Sequence, residues 1–199
     1  AMFGPGLETS TSRLTRHILE SGSLAVTGMF PGQFEGVGSG FSLRMQNGSV
    51  FQLITLYTST RAERQGLAPE QRINHNRLLA GVEEQEGGAT VGHIRQPVRD
   101  LCRTLDGFVF VIDASQTAET VRAGLSELSA MISERAIPLL VLSCVPEAAA
   151  PAKVSSIEVV TLLGLGQLSQ PWQVHSCVVE PGLLGVQDGL EWLVQQTLR

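Results

Sequence analysis

The chain has 199 residues, 43% of them hydrophobic and 17% charged, with a formal net charge of −5 and a mean hydropathy of +0.13. Such a composition fills one globular core, expected as a single domain over residues 1–199, and excludes a disordered chain. No basic cluster occurs, so neither nucleic acid nor an anionic membrane is expected as a partner, and no apolar run reaches the ~20 residues that span a bilayer.

The opening segment predicts a short strand, a glycine loop and a helix: Ala1-Met2-Phe3-Gly4-Pro5-Gly6-Leu7-Glu8, then Thr9 to Glu20. A nucleotide-binding α/β domain carries its phosphate loop there, as a glycine, four residues and then Gly-Lys-Ser/Thr. Counted from Gly4, those last positions hold Thr9, Ser10 and Thr11. The lysine is missing, and the whole chain contains only Lys153. Gly4 and Gly6 are therefore expected to serve a tight strand-to-helix turn.

Next comes Gly36-Val37-Gly38-Ser39-Gly40, which precedes a strand and so is a flexible approach to it, not a dinucleotide fingerprint. Alternating apolar residues in Phe41–Met45 and Val50–Tyr57 flank Asn47-Gly48, which predicts a hairpin with a type I′ turn. Asn47-Gly48-Ser49 is also a formal glycosylation sequon, but a plain turn is the expectation. Helices are predicted over about 69–84, 94–105, 117–135, 154–168 and 187–198. Between the later ones lie near-continuous apolar runs, Phe108–Ile112, Leu139–Cys144 and Trp172–Cys177, the pattern of strands buried on both faces. Gln85–Ala89 and Glu147–Pro151 are the flexible-looking links, and neither marks a domain boundary.

That order predicts an α/β fold of the Ras/Arf-like small-GTPase type: a six-stranded, mostly parallel sheet with one antiparallel edge strand and helices on both faces. Gly185-Val186-Gln187-Asp188-Gly189-Leu190-Glu191-Trp192-Leu193 resembles the entry to the last helix of Arf-type small GTPases. The nucleotide site is degenerate, however. After Val50–Tyr57 an active GTPase continues Asp-x-x-Gly for Mg²⁺ and the γ-phosphate. Here the chain reads Thr58-Ser59-Thr60-Arg61-Ala62-Glu63-Arg64. After Leu142 it reads Ser143-Cys144-Val145-Pro146, where guanine is normally selected by Asn-Lys-x-Asp. With the amine, the metal carboxylate and the base reader all absent, no cofactor or metal is expected.

Other chemistry is equally thin. His17, His75, His93 and His175 are scattered, and Cys102, Cys144 and Cys177 show no metal spacing. Three separated cysteines suit reduced thiols of a cytoplasmic or nuclear protein. No Gly-x-Ser-x-Gly elbow is present, and Asp113 is expected to cap the helix that starts near Thr117. An enzyme is not expected.

Several blocks, in order, resemble the C-terminal domain of the F-box only protein 4 family: residues 1–8, 36–40 and 56–64, Asp106–Val109, Pro138–Cys144, Pro171-Trp172 and Gly189–Trp192. The resemblance implies an atypical small-GTPase fold that does not use nucleotide. It further implies the substrate-recognition module of an SCF-type (Skp1–cullin–F-box) ubiquitin ligase. Skp1 would be reached only through an F-box outside these residues. The family's substrates include telomere repeat-binding factor 1 and cyclin D1. An Arf-like GTPase with divergent loops, or a pseudo-GTPase scaffold of another assembly, are the alternatives.

Two surfaces are candidates for a protein partner. Along 153–168, phasing at 100° per residue puts Val154, Ile157, Leu165 and Leu168 toward the sheet and Val159, Val160 and Leu163 outward, with Ser156 between them. The second is the hairpin's outer strand, whose Phe41 and Leu43 would lie at a free sheet edge. The near absence of lysine fits a domain held beside a ubiquitin-charged enzyme; ordinary compositional drift, with arginine keeping the surface charge, is the alternative.

Overall fold

The structure is a computed structural model that describes residues 1–7, 14–22, 24–30, 38–57, 78–84, 90–180 and 182–198. Thr9 to Thr11, the Thr58–Arg64 run, the 69–77 part of a predicted helix and the Gln85–Ala89 link all lie outside the described residues.

In chain order the elements are β1 (Met2–Phe3), α1 (Leu14–Glu20), β2 (Ala25–Phe30), β3 (Gly38–Arg44), β4 (Val50–Leu56), β5 (Leu79–Glu84) and β6 (Thr90–Ile94). They continue as α2 (Gln96–Cys102), β7 (Phe108–Asp113), α3 (Ala118–Ala123), α4 (Leu125–Glu134), β8 (Leu139–Glu147), α5 (Ser156–Leu162), β9 (Trp172–Glu180) and α6 (Val186–Thr197). The main sheet has seven strands, not the six expected, in the order β2-β3-β4-β1-β7-β8-β9, and β5-β6 form a separate two-stranded sheet. The strand directions show one reversed strand, β3, as expected. It does not lie at the edge, because β2 pairs along its outer side from Ala25↔Arg44 to Phe30↔Gly40.

Every residue of β7 is buried, and so are Leu139–Cys144 of β8, because helices cover both faces. One apolar cluster joins Phe3, Phe108, Phe110, Leu139 and Val141 to α2, α4 and α5. Phe3 packs edge-on against Phe108 and Phe110 at centroid distances of 5.8 and 5.3 Å. The other cluster joins Met2, Val109, Val111, Leu140 and Leu142 to α1 and α6. Alternation along each central strand divides its side chains between these two layers.

Three expectations change. The hairpin loop has three residues, Gln46-Asn47-Gly48: Gly48 N–H donates to the Met45 carbonyl at 3.0 Å and Met45 N–H to that of Ser49 at 2.8 Å. Gly48 has φ +86° while Asn47 stays at negative φ, so this is a type I turn closed by a left-handed glycine and not a type I′ turn. Residues 79–84, predicted as helix, form β5 in register with β6. Gly81 weakens a helix there by ~1 kcal/mol, and the ladder to β6 supplies the alternative. The long helix over 117–135 breaks into α3 and α4 at Gly124, where an added Cβ would lie 2.7 Å from Pro5 Cδ.

Candidate functional site

The loop after β1 is built around contact with β7. Gly4 has φ +120°, and a Cβ on it would lie 2.6 Å from the Val111 carbonyl oxygen. A Cβ on Gly6 would lie 2.7 Å from the Ile112 carbonyl carbon. Pro5–Leu7 form a single 3₁₀ turn in which Leu7 N–H donates to the Gly4 carbonyl at 3.1 Å. Gly6 and Leu7 are buried. The glycines thus let the backbone press onto β7, and this stretch lies flat against the sheet.

At the other wall of the expected pocket, β8 continues as strand through Glu147. Ser143, Cys144, Val145 and Glu147 pair in register with Ser176, Cys177, Val178 and Glu180 of β9. The positions at which a base-reading loop would leave the sheet are bonded into its ladder. Cys144 and Cys177 are neighbours there, both buried and both free thiols. The hydrogen bond between them, together with burial, pushes the Cys144 thiol well above the usual range. Burial likewise pushes Cys102 up to about 11.

Asp113 does not cap a helix. Its Oδ1 accepts from Ser115 N–H at 3.0 Å and Ser115 Oγ–H at 2.5 Å, closing an Asx turn. Thr117 is the N-cap of α3, without a side-chain cap bond. Among the described residues no group of His, Cys, Asp and Glu side chains is placed to hold a metal ion. Nor, among the described residues, is any helix long and apolar enough to cross a membrane.

The two candidate docking surfaces change most. α5 begins at a capping box: Glu158 N–H donates to Ser155 Oγ at 3.3 Å and Ser155 N–H to Glu158 Oε2 at 2.7 Å. These bonds, backbone first, hold the Glu158 carboxyl below the usual range. The helix is short, because Gly164 takes φ +63° and a 3₁₀ turn over Leu165–Gln167 follows. A phase carried through 168 is therefore wrong. Val159 and Leu163, one turn apart, face the core at 0% and 4% exposure, and Val160 packs partly against it. Ile157, predicted to face the sheet, is 81% exposed. Ser156 is half-buried and its Oγ meets Ser176 Oγ of β9 at 2.8 Å. On the hairpin, Phe41 and Leu43 are buried and β2 covers the expected edge.

The model of the ADP-ribosylation factor family matches residues 87–197, more than half of the chain, from just before β6 through α6. The chain belongs to the ADP-ribosylation factor family. F-box only protein 4 of mouse is 29% identical over 98% of this Arf-family chain and 52% of its own length, and the human protein gives the same figures. ADP-ribosylation factor-like protein 4D of mouse is 32% identical over 51% of each chain. The Arf-family chain thus spans about half the length of the curated relatives it matches. The family match begins downstream of the loop at Gly4.

Proposed function

We propose that this Arf-family domain is the substrate-recognition module of an SCF-type ubiquitin ligase receptor, and that it neither binds nor hydrolyses GTP. The observation that carries the first half is the likeness to F-box only protein 4 along 98% of the chain, where the GTPase-like relative covers only half. The second half rests on chemistry. A triphosphate needs an ammonium, a metal carboxylate and a base reader. In their places stand Ser10, the Thr58–Arg64 run and a strand paired through Glu147. A telomere repeat-binding factor 1-like or cyclin D1-like protein is the class of substrate proposed, with Skp1 engaged by a separate F-box. Reduced, buried thiols fit a cytoplasmic or nuclear setting.

The docking face we assign is the outer side of α5 around Ile157 and Ser156, the part of that helix the core leaves exposed or half-exposed. Affinity capture with the full-length protein tests the reading, scored for Skp1 and for co-purifying substrates. Retention of Skp1 with substrates lost in an Ile157→Asp variant is the expected result. Absence of Skp1 overturns it. The second reading, a divergent Arf-like GTPase, is favoured by the family match over residues 87–197. Calorimetry with GTP and Mg²⁺ decides between them, and measurable binding sinks the nucleotide-free proposal.

A further inference from the structure

Of the 14 lysine and arginine residues in the chain, only Lys153 is a lysine. Packing explains some of the arginines. Arg99 Nε donates to Glu134 Oε1 at 2.8 Å, tying α2 to α4, and Arg95 Nε donates to the Leu79 carbonyl at 3.1 Å. It does not explain others. The side chains of Arg16 and Arg103 are 73% and 68% exposed, and they pair with Glu20 and Asp100, close by in the chain. A lysine makes such pairs equally well. The guanidinium differs in one respect that packing does not use: it stays protonated and is no nucleophile, whereas an amine accepts an acyl group.

Lys153 itself is exposed, on the turn that leads into α5. Its backbone is fixed, because the N–H groups of Lys153 and Val154 donate to the Ala114 carbonyl at 2.7 and 3.2 Å and the Val154 side chain is buried. Its ammonium has no ion pair or hydrogen bond among the described residues. Ile157, at the centre of the docking face assigned above, follows four residues later. Even a fully extended chain keeps the two Cα atoms within about 14 Å. A standard interface covers about 800 Å² on each partner, a disc of roughly 16 Å radius. A partner centred on Ile157 therefore lies over Lys153 as well.

We infer that Lys153 is the ubiquitin acceptor of this domain, open in the unloaded receptor and covered when substrate docks on α5. The inference rests on the reading of this domain as the recognition module of a ubiquitin ligase. The step is an aminolysis. Deprotonated Lys153 Nζ attacks the thioester carbonyl carbon of ubiquitin carried on a conjugating-enzyme cysteine. The isopeptide C–N bond forms, the C–S bond breaks, and the cysteine leaves as a thiol with the proton that the nitrogen gives up. Arginine at the other basic positions confines this chemistry to a single amine whose access reports occupancy. An idle receptor is marked and an engaged one is spared.

Reconstitution tests this: the full-length protein in its ligase complex, with ubiquitin and the activating and conjugating enzymes but no substrate, followed by mass spectrometry of the diglycine remnant. The remnant should appear on Lys153. Lys153→Arg, which keeps the charge, should lose it while capturing Skp1 and substrate as before. In cells with the proteasome inhibited, modified Lys153 should rise about threefold in Ile157→Asp, the ratio expected when docked substrate leaves a third of the natural receptor open. Skp1 captured with Lys153 bare overturns the inference and leaves the ligase reading standing. Equal modification in the natural protein and Ile157→Asp overturns the covering by substrate. Absence of Skp1 from the capture sinks the ligase reading, and the acceptor role of Lys153 with it.

Discussion

Single residues explain why the loop at Gly4 needs its glycines to lie against β7. Gly6 has no positive φ, yet a Cβ there meets the backbone of Ile112. Gly6→Ala should therefore cost roughly 1–3 kcal/mol by overpacking, read as a lower denaturation midpoint. The thiols give a second prediction. Cys102 and Cys144 are held protonated above the ordinary thiol range, chiefly by burial in the first and by the bond to Cys177 in the second. The thiolate is the reactive form, so neither should be alkylated at pH 8 in the folded protein, and both should be in guanidinium. Mass spectrometry after iodoacetamide treatment checks this. The missing lysine was legible from the chain alone. The pressure of Gly4, Gly6 and Gly124 on Val111, Ile112 and Pro5 was not, since it depends on strands more than a hundred residues away.

At the scale of elements, α5 shows how a local stop rotates a face. The capping box of Ser155 and Glu158 sets its start and the left-handed Gly164 sets its end. Leu163→Ala should cost about 2–5 kcal/mol, because its side chain is in the core. Ile157→Asp should leave the thermal transition within a degree or so, since the residue touches solvent. The pH response of this helix follows from Glu158, whose folded carboxyl sits below its unfolded value. Its contribution is present above the usual carboxylate range and is lost as pH falls through the folded value. Glu158→Gln should therefore flatten the fall of the melting temperature between roughly pH 5 and pH 3.

Elements with one dominant signal were readable in advance. β7, β8 and α6 carry continuous apolar runs or a clean stripe, and their observed bounds differ from the expected ones by only a few residues. Those decided by partners were not. β5 is rich in Leu, Ala and Glu, which favour helix, and only the ladder to β6 makes it a strand. Nothing in Ala25–Phe30 announced that it would cover β3, and that pairing removed Phe41 and Leu43 from the surface.

For the whole molecule, the sheet order and the Arf-family match agree on architecture, while Ser10 stands where a phosphate loop carries its lysine and Ser143-Cys144-Val145-Pro146 where a guanine reader carries Asn-Lys-x-Asp. A ligand that bound the folded state would raise stability by about 2.7 kcal/mol at a hundredfold excess over its dissociation constant. GTP with Mg²⁺ should produce no such rise in the melting temperature, and a clear upward shift would show that the loop at Gly4 still holds a nucleotide.

The position of β1 in both sequence and sheet has a further consequence, for synthesis. Of the strands described, β1 is made first and is the centrepiece, yet Thr55 and Val109, which bracket it, are made later. Met2 and Phe3 must wait, apolar and unpaired, until β4 and then β7 emerge. Assembly of this domain is therefore a late, concerted closure around β1, and nascent chains arrested before β7 should be captured by chaperones at Met2 and Phe3.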